Sequence, residues 1–375
     1  MFIPTSPPTG CVLPPAAIDP LVIDAIGRNA WFAFNLSGGK DSTAASHAAM
    51  ALLDRLGHPR DRRIAIHADL GRAEWTSTPA TVERIARHLG IPLIVVRRRA
   101  GDMVARWEQR FASGKARYEA LATYNLIGPW SSSSLRFCTS ELKVQVIGRE
   151  LVRRFRGETI VCVIGLRREE SLARRSTPVS GLDERFAKPG NVAGTRVLDW
   201  HPLVDWTAAD VFGAHDAHGL PLHEAYCRYG STRLSCAFCV LASRHDLRAA
   251  ARAARNVGLY RHLVAIEADS TFSFQPARWL ADIAPHLLSD GLRADLVRAR
   301  ADAQARRRIE AAMPAGLRFV KGWPPRVPTP QEADRIAAAR APILARHHLE
   351  NRFPDGPAVS ARFADLLDLK AARGR

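Results

Sequence analysis

Apolar residues in this chain follow two rhythms. Short runs at 30–36, 63–69, 92–96, 159–164 and 197–200 read as strands, and the first four end at glycine, proline or charged residues. Between them, 43–56, 78–89 and 144–155 have helix-favouring composition or apolar residues every three to four positions. A short helix over 20–28 leads into the first strand. Strand and helix alternate, which predicts an α/β fold: a doubly wound, mostly parallel five-stranded sheet with right-handed crossovers. A polar, glycine-bearing loop at 176–196 is expected over the sheet edge, and Thr207 with Asp210 reads as a capping-box start of a helix. From about 241 the pattern turns helical, over 243–256, 259–268, 276–288, 292–312 and 331–347, with a short helix at most after 352. The expected domains are therefore an extended, proline-rich arm (1–18), an α/β domain (19–240) and a C-terminal helical region (241–375) with a proline-rich hinge at 314–330.

The first strand runs into Phe34-Asn35-Leu36-Ser37-Gly38-Gly39-Lys40-Asp41-Ser42-Thr43. Two glycines allow positive φ and close approach of the backbone to a bulky anion, and the helix that follows presents unpaired N–H groups at its positive end. Lys40 adds a cation, Ser37 and Ser42 add hydroxyls, and Asp41 could hold magnesium or orient its neighbours. This is a phosphate cradle, and its spacing is not that of a Walker loop. Asp69 ends the second apolar run, where parallel sheets place ligand groups, although a turn or helix cap uses the same residue type.

Composition changes the picture only in part. The 375 residues carry a formal net charge of +17 and a pI near 10.5, which favours a polyanionic partner. Only six of the 54 basic residues are lysine, so the charge reflects arginine-rich composition as much as a binding face. No stretch of eighteen apolar residues and no secretory pattern is seen, so the expectation is a cytoplasmic protein with no membrane association. Six cysteines in such a chain are not a disulfide framework. Cys162 lies in a strand and reads as core.

The hexapeptide Ser37–Ser42 resembles the pyrophosphate (PP) loop of the adenine-nucleotide α-hydrolase superfamily. Four further stretches extend the resemblance: Arg136-Phe137-Cys138-Thr139 with Leu142-Lys143, then Gly165-x-Arg167-x-x-Glu170-Ser171, then Pro202-Leu203 with Asp205-Trp206-Thr207, and Cys236-x-x-Cys239. In that order they are similar to the phosphoadenosine-phosphosulfate reductase family, over roughly residues 30–245. The resemblance implies a HUP or Rossmann-like sheet with ATP phosphates on Ser37, Gly38, Gly39, Lys40, Asp41 and Ser42. It implies Mg2+ near Asp41, adenine near Asp69 and Gly165, and further contacts from Arg136, Lys143, Arg167 and Glu170. Lys40, Asp41 and Arg167 are the expected catalytic residues.

Sulfonucleotide reductases of this family keep a catalytic cysteine near the carboxyl terminus, and no cysteine follows Cys239 here. The resemblance therefore points to the sulfur-inserting relatives, DndC-like proteins of DNA phosphorothioation and thiouridine-forming enzymes, which cleave ATP to AMP and pyrophosphate. It implies a DNA or tRNA acceptor and a cysteine desulfurase as sulfur donor. Cys138, Cys227, Cys236 and Cys239 could hold a [4Fe–4S] cluster; zinc, or thiols without a metal, are left open. The alternatives are a sulfonucleotide reductase, a nucleic-acid-binding module with a regulatory nucleotide site, and an ATP-dependent amide or thioamide former.

Overall fold

A computed structural model describes residues 13–123, 125–317 and 323–373. Residues 1–12 of the expected arm and 318–322 of the expected hinge lie outside the described residues. Along the chain the elements run α1 (Pro20–Gly27), β1 (Trp31–Asn35), α2 (Lys40–Arg55), β2 (Arg63–Asp69), α3 (Thr78–Leu89) and β3 (Leu93–Arg97). Next come α4 (Met103–Glu119), the single turn α5 (Phe137–Thr139), α6 (Gln145–Arg154), β4 (Thr159–Val163), β5 (Ser180–Leu182) and β6 (Arg196–Trp200). The rest is helical: α7 (Ala208–His218), α8 (Glu224–Cys227), α9 (Arg244–Ala251), α10 (Val257–Ser270), α11 (Asp290–Ala311), α12 (Pro330–Arg346) and α13 (Gly356–Arg373).

The chain divides into two compact units. The first takes the described residues up to Met103 together with Ser134–Asn256, and the second takes Val104–Ser133 and Val257–Arg375. In the first, the strand order is β3-β2-β1-β4-β6-β5, with every pair parallel except β5 against β6. The expected mostly parallel sheet is present, with a sixth, three-residue strand: part of the stretch read as a loop pairs Gly181 with Asp199 along the edge. Strand alternation sends Phe32, Phe34, Val161 and Val163 to one face, against Leu53 and Ile85 of α2 and α3, and Ala33, Ile160 and Cys162 to the other, against Leu151 of α6. Both faces are covered, as a doubly wound sheet requires. Residues Ala17 and Pro15 accept indole N–H bonds from Trp200 and Trp206, so the described end of the arm is tied to this unit.

The second unit is helical, with cores built on Leu121, Ile336, Val359 and Phe363 and on Phe111, Tyr118, Ile343 and Leu344. Two expectations fail here. Residues 276–288 form only short 3-10 turns, because the buried carboxylate of Glu267 takes the N–H groups of Phe274, Leu280 and Ala281 and bends the segment around itself. Burial pushes the Glu267 carboxyl up to about 7. The tail is a full helix of 18 residues, anchored by Val359 and Phe363 one turn apart and capped by Asp355. Among the described residues no helix is long and apolar enough to cross a membrane.

Candidate functional site

β1 ends at Asn35, and three residues later the chain turns at Gly38 with φ of +74°, a conformation that favours glycine. α2 then starts at Lys40. The bend is braced from inside: Ser42 Oγ donates to Gly39 O at 2.9 Å, accepts from Ser37 N at 3.2 Å and lies 3.0 Å from Ser37 Oγ. Gly165, just past β4, closes against it. A Cβ there would stand 2.6 Å from the backbone of Asp41 and Ser42. Strand, glycine bend and helix start thus meet at the carboxyl end of the sheet, where open α/β folds bind ligands.

Asp41 lies between two buried cations. Its carboxylate accepts from Lys40 Nζ at 2.6 Å and from Arg167 Nε at 2.7 Å. Burial raises the Asp41 pKa, but Lys40 and Arg167 outweigh it and hold the carboxyl below its ordinary value. Arg167 also pairs with Glu169, while Glu170 accepts the Arg167 backbone N–H at 3.3 Å and pairs with Arg174. The Arg174 guanidinium has its pKa lowered by burial first and then by Arg136 and Arg233, with Asp41 opposing. Three cations (Lys40, Arg167 and Arg174) therefore meet three carboxylates (Asp41, Glu169 and Glu170), with two more, Arg136 and Arg233, in electrostatic reach of Arg174. Cations held together in excess of their counterions are a site for an anion carrying more than one charge.

The remaining expected residues fall in two places. Asp69 is at the end of β2, where it accepts Gly71 N–H at 2.6 Å and pairs with Arg97 at 2.6 Å; its contacts are those of a turn-stabilising acid. Lys143 is on a π-helical turn (Ser140–Val144) and acts electrostatically on Cys236. Cys236 has its pKa raised by burial and by Cys239, with Cys138 also in electrostatic reach. Cys227 is exposed and donates to His223 O at 3.6 Å. Among the described residues, no three His, Cys, Asp or Glu side chains are placed to hold a metal ion. Both carboxylate oxygens of Asp41 are engaged by cations, Oδ2 by Lys40 and Oδ1 by Arg167.

Three contributors were not anticipated. Arg174 stands four residues after Glu170 and pairs with it; that spacing, next to a motif arginine, is the signal that could have found it. His215 of α7 places Nε2 3.0 Å from Lys40 O, and Tyr226 accepts the Lys40 N–H at 3.3 Å. Neither has a sequence signal, because α7 and α8 arrive from 175 and 186 residues away. α7 does begin as expected, with Thr207 and Asp210 bonding reciprocally at 3.2 and 2.7 Å. On β2, His67 donates from Nδ1 to Leu36 O at 2.8 Å, and its Nε2 lies 3.5 Å from Glu74. Burial lowers the His67 pKa, but Glu74 and the Leu36 carbonyl outweigh it and leave the pKa raised.

A doubly wound α/β fold with a glycine bend, a helix start and a cation-rich rim at the carboxyl end of its sheet is the class this site defines. Residues 32–242 match the family model of the phosphoadenosine phosphosulfate reductase domain, more than half of the chain, so the chain belongs to that family. It is 29% identical over 122 residues to an uncharacterized 37.8 kDa protein of Escherichia phage 186, over 32% of this chain and 34% of that protein. The chain thus spans about a third of the length of this relative. A crystal structure of phosphoadenylyl-sulfate reductase from Candida auris, in a phosphate complex, is 14% identical and covers 55% of this chain and 80% of that one, with a TM-score of 0.34.

Proposed function

We propose that this protein binds an adenine nucleotide on the Ser37–Ser42 bend and cleaves ATP to AMP and pyrophosphate, activating an acceptor oxygen for replacement by sulfur. The observation that carries this reading is the grouping of Lys40, Arg167 and Arg174 around Asp41 at the start of α2. The phosphates lie along the glycine bend, taking N–H groups of the opening turn of α2. Lys40 and Arg167 face the α-phosphate and stabilise the charge that builds as the acceptor attacks and pyrophosphate leaves. Asp41 stays ionised and keeps the two cations in position for that charge. Arg136, Arg174 and Arg233 at the rim receive the outer phosphates or the backbone of a nucleic-acid acceptor, DNA or tRNA. A cysteine desulfurase supplies a persulfide whose terminal sulfur displaces AMP, and a second thiol then attacks the donor cysteine sulfur of the resulting acceptor–S–S–cysteine disulfide, forming a new disulfide and freeing the sulfurated acceptor. Of the family's branches, the DndC-like one fits this sequence of steps.

The test is product analysis. Wild-type protein with ATP and mixed nucleic acid is expected to release pyrophosphate, and Lys40→Ala to lose at least 100-fold of that rate, about 2.7 kcal/mol of barrier. Undiminished release by Lys40→Ala would remove the bend from the reaction. Family membership favours one second reading, a sulfonucleotide reductase. Sulfite release from phosphoadenosine phosphosulfate, with no pyrophosphate from ATP, would replace the first reading by this one.

A further inference from the structure

Tyr226 joins two parts of the first unit that the proposed reaction treats separately. Its phenol oxygen accepts backbone N–H bonds from Lys40 at 3.3 Å and from Leu234 at 2.9 Å. Lys40 opens α2, where a phosphate oxygen is received in the reading above, and Leu234 stands two residues before Cys236. The ring is buried, edge-on to Phe212 with centroids 6.1 Å apart. Leu234 itself lies over the glycine bend, about where a Cβ at Gly38 or Gly39 would touch it, at 3.5 Å in each case.

The stretch from Arg233 to Cys236 is held at its two ends by other groups. Asp246 accepts from Ser231 Oγ at 2.9 Å and Thr232 N at 2.7 Å, and Ala237 N donates to Ala73 O at 2.8 Å. Between those anchors, the Leu234 N–H rests on Tyr226. A neutral phenol oxygen at 3.3 Å is a weak acceptor for the Lys40 N–H, and a charged phosphate oxygen is a far stronger one.

We propose that Tyr226 is a positioning latch: a phosphate oxygen on the glycine bend takes the Lys40 N–H from the phenol, and the phenol, no longer tied to α2, moves together with Leu234 and shifts the segment bearing Cys236. Occupancy of the nucleotide site is thereby read at a thiol. The inference rests on the phosphate-binding reading of the bend.

The test uses the full chain, inorganic pyrophosphate as the probe, calorimetry for binding, and mass spectrometry of peptides for the rate at which N-ethylmaleimide labels Cys236. Pyrophosphate is expected to raise that rate at least fivefold in the wild type. Tyr226→Phe is expected to label fast without pyrophosphate, to lose the response, and to bind pyrophosphate at least as tightly as the wild type. If the wild type binds pyrophosphate and its Cys236 rate stays the same, the latch is wrong and the phosphate site stands. A Tyr226→Phe protein that keeps the slow rate and the full response also overturns the latch. Absence of pyrophosphate binding in the wild type overturns the phosphate site, and the latch with it. The wild-type arm requires no variant to fold.

Discussion

Arginine is used in opposite ways in the two units. On α11 and α12 four guanidinium groups meet carboxylates one to one: Arg293 with Asp290, Arg298 with Asp295, Arg300 with Asp282 and Arg346 with Asp302. Around the glycine bend, by contrast, Arg136, Arg167, Arg174 and Arg233 gather with Lys40 against fewer acids. Neutralised pairs on a helix surface give solubility and little else. Like charges brought together are unfavourable unless something else sets the geometry, and here the sheet end, Asp41 and Glu170 set it. A formal charge of +17 is therefore not a uniform coat. Its chemical content lies in the few cations that are crowded.

The comparison breaks most sharply at Gly165, which lets β4 close on the first turn of α2. Because an added Cβ would lie 2.6 Å from backbone atoms of Asp41 and Ser42, and backbone cannot step aside as a side chain can, Gly165→Ala should push Asp41 out from between Lys40 and Arg167. Pyrophosphate binding followed by calorimetry is expected to fall at least 1000-fold, about 4 kcal/mol, with a lowered melting temperature. Affinity close to wild type would mean that the crowding of cations does not depend on that close approach.

Much of this was legible in the sequence, and for physical reasons. Strands buried on both faces leave continuous apolar runs, as at Phe32–Phe34 and Ile64–Ile66, and a glycine bend between strand and helix leaves Gly38-Gly39-Lys40. What escaped depends on partners far along the chain. β5 is three residues long and exists through pairing with β6, so it carries no periodicity of its own. The 276–288 segment has a helical pattern, but the N–H groups of its Leu280 and Ala281, and of Phe274 just before it, go to Glu267 instead of to carbonyls one turn back. Tyr226 belongs to the site only because α8 returns to α2, and no local spacing encodes that. Asp69 reads from its position both as a ligand group and as a turn acid, and its contacts, the Gly71 N–H and Arg97, are those of the turn reading.

A second arginine population inside the second unit sharpens the contrast. Arg306 is buried 3.7 Å from the Phe272 ring centroid, donates to Glu310 at 2.9 Å and to Thr271 O at 3.1 Å, and so is held by packing and hydrogen bonds together. Glu310 has its pKa raised by burial, with Arg306 opposing. Arg306→Leu strands that carboxylate, and urea denaturation is expected to register a loss of about 3 kcal/mol, with Glu310→Met added to it restoring a good part. Pyrophosphate affinity should not change. A matching loss of affinity would mean that buried arginine in the helical unit and crowded arginine at the bend serve one purpose.

The smallest effect is expected where the charge is best matched. Arg298 and Asp295 are one turn apart on α11, both with more than half of the side chain exposed. In water the attraction is weak, salt screens it, and ordering two long side chains opposes it, so the pair contributes less than about 0.5 kcal/mol. Arg298→Ala should therefore leave the denaturation midpoint, the pyrophosphate affinity and the salt dependence of nucleic-acid binding close to wild type. Arg136→Ala removes the same charge from the crowded rim, and should flatten the logarithmic salt slope of nucleic-acid binding by about 0.7 to 0.9. Equal slopes for the two variants would mean that polyanions read the total charge of the chain, and that the grouping around Asp41 is a feature of packing alone.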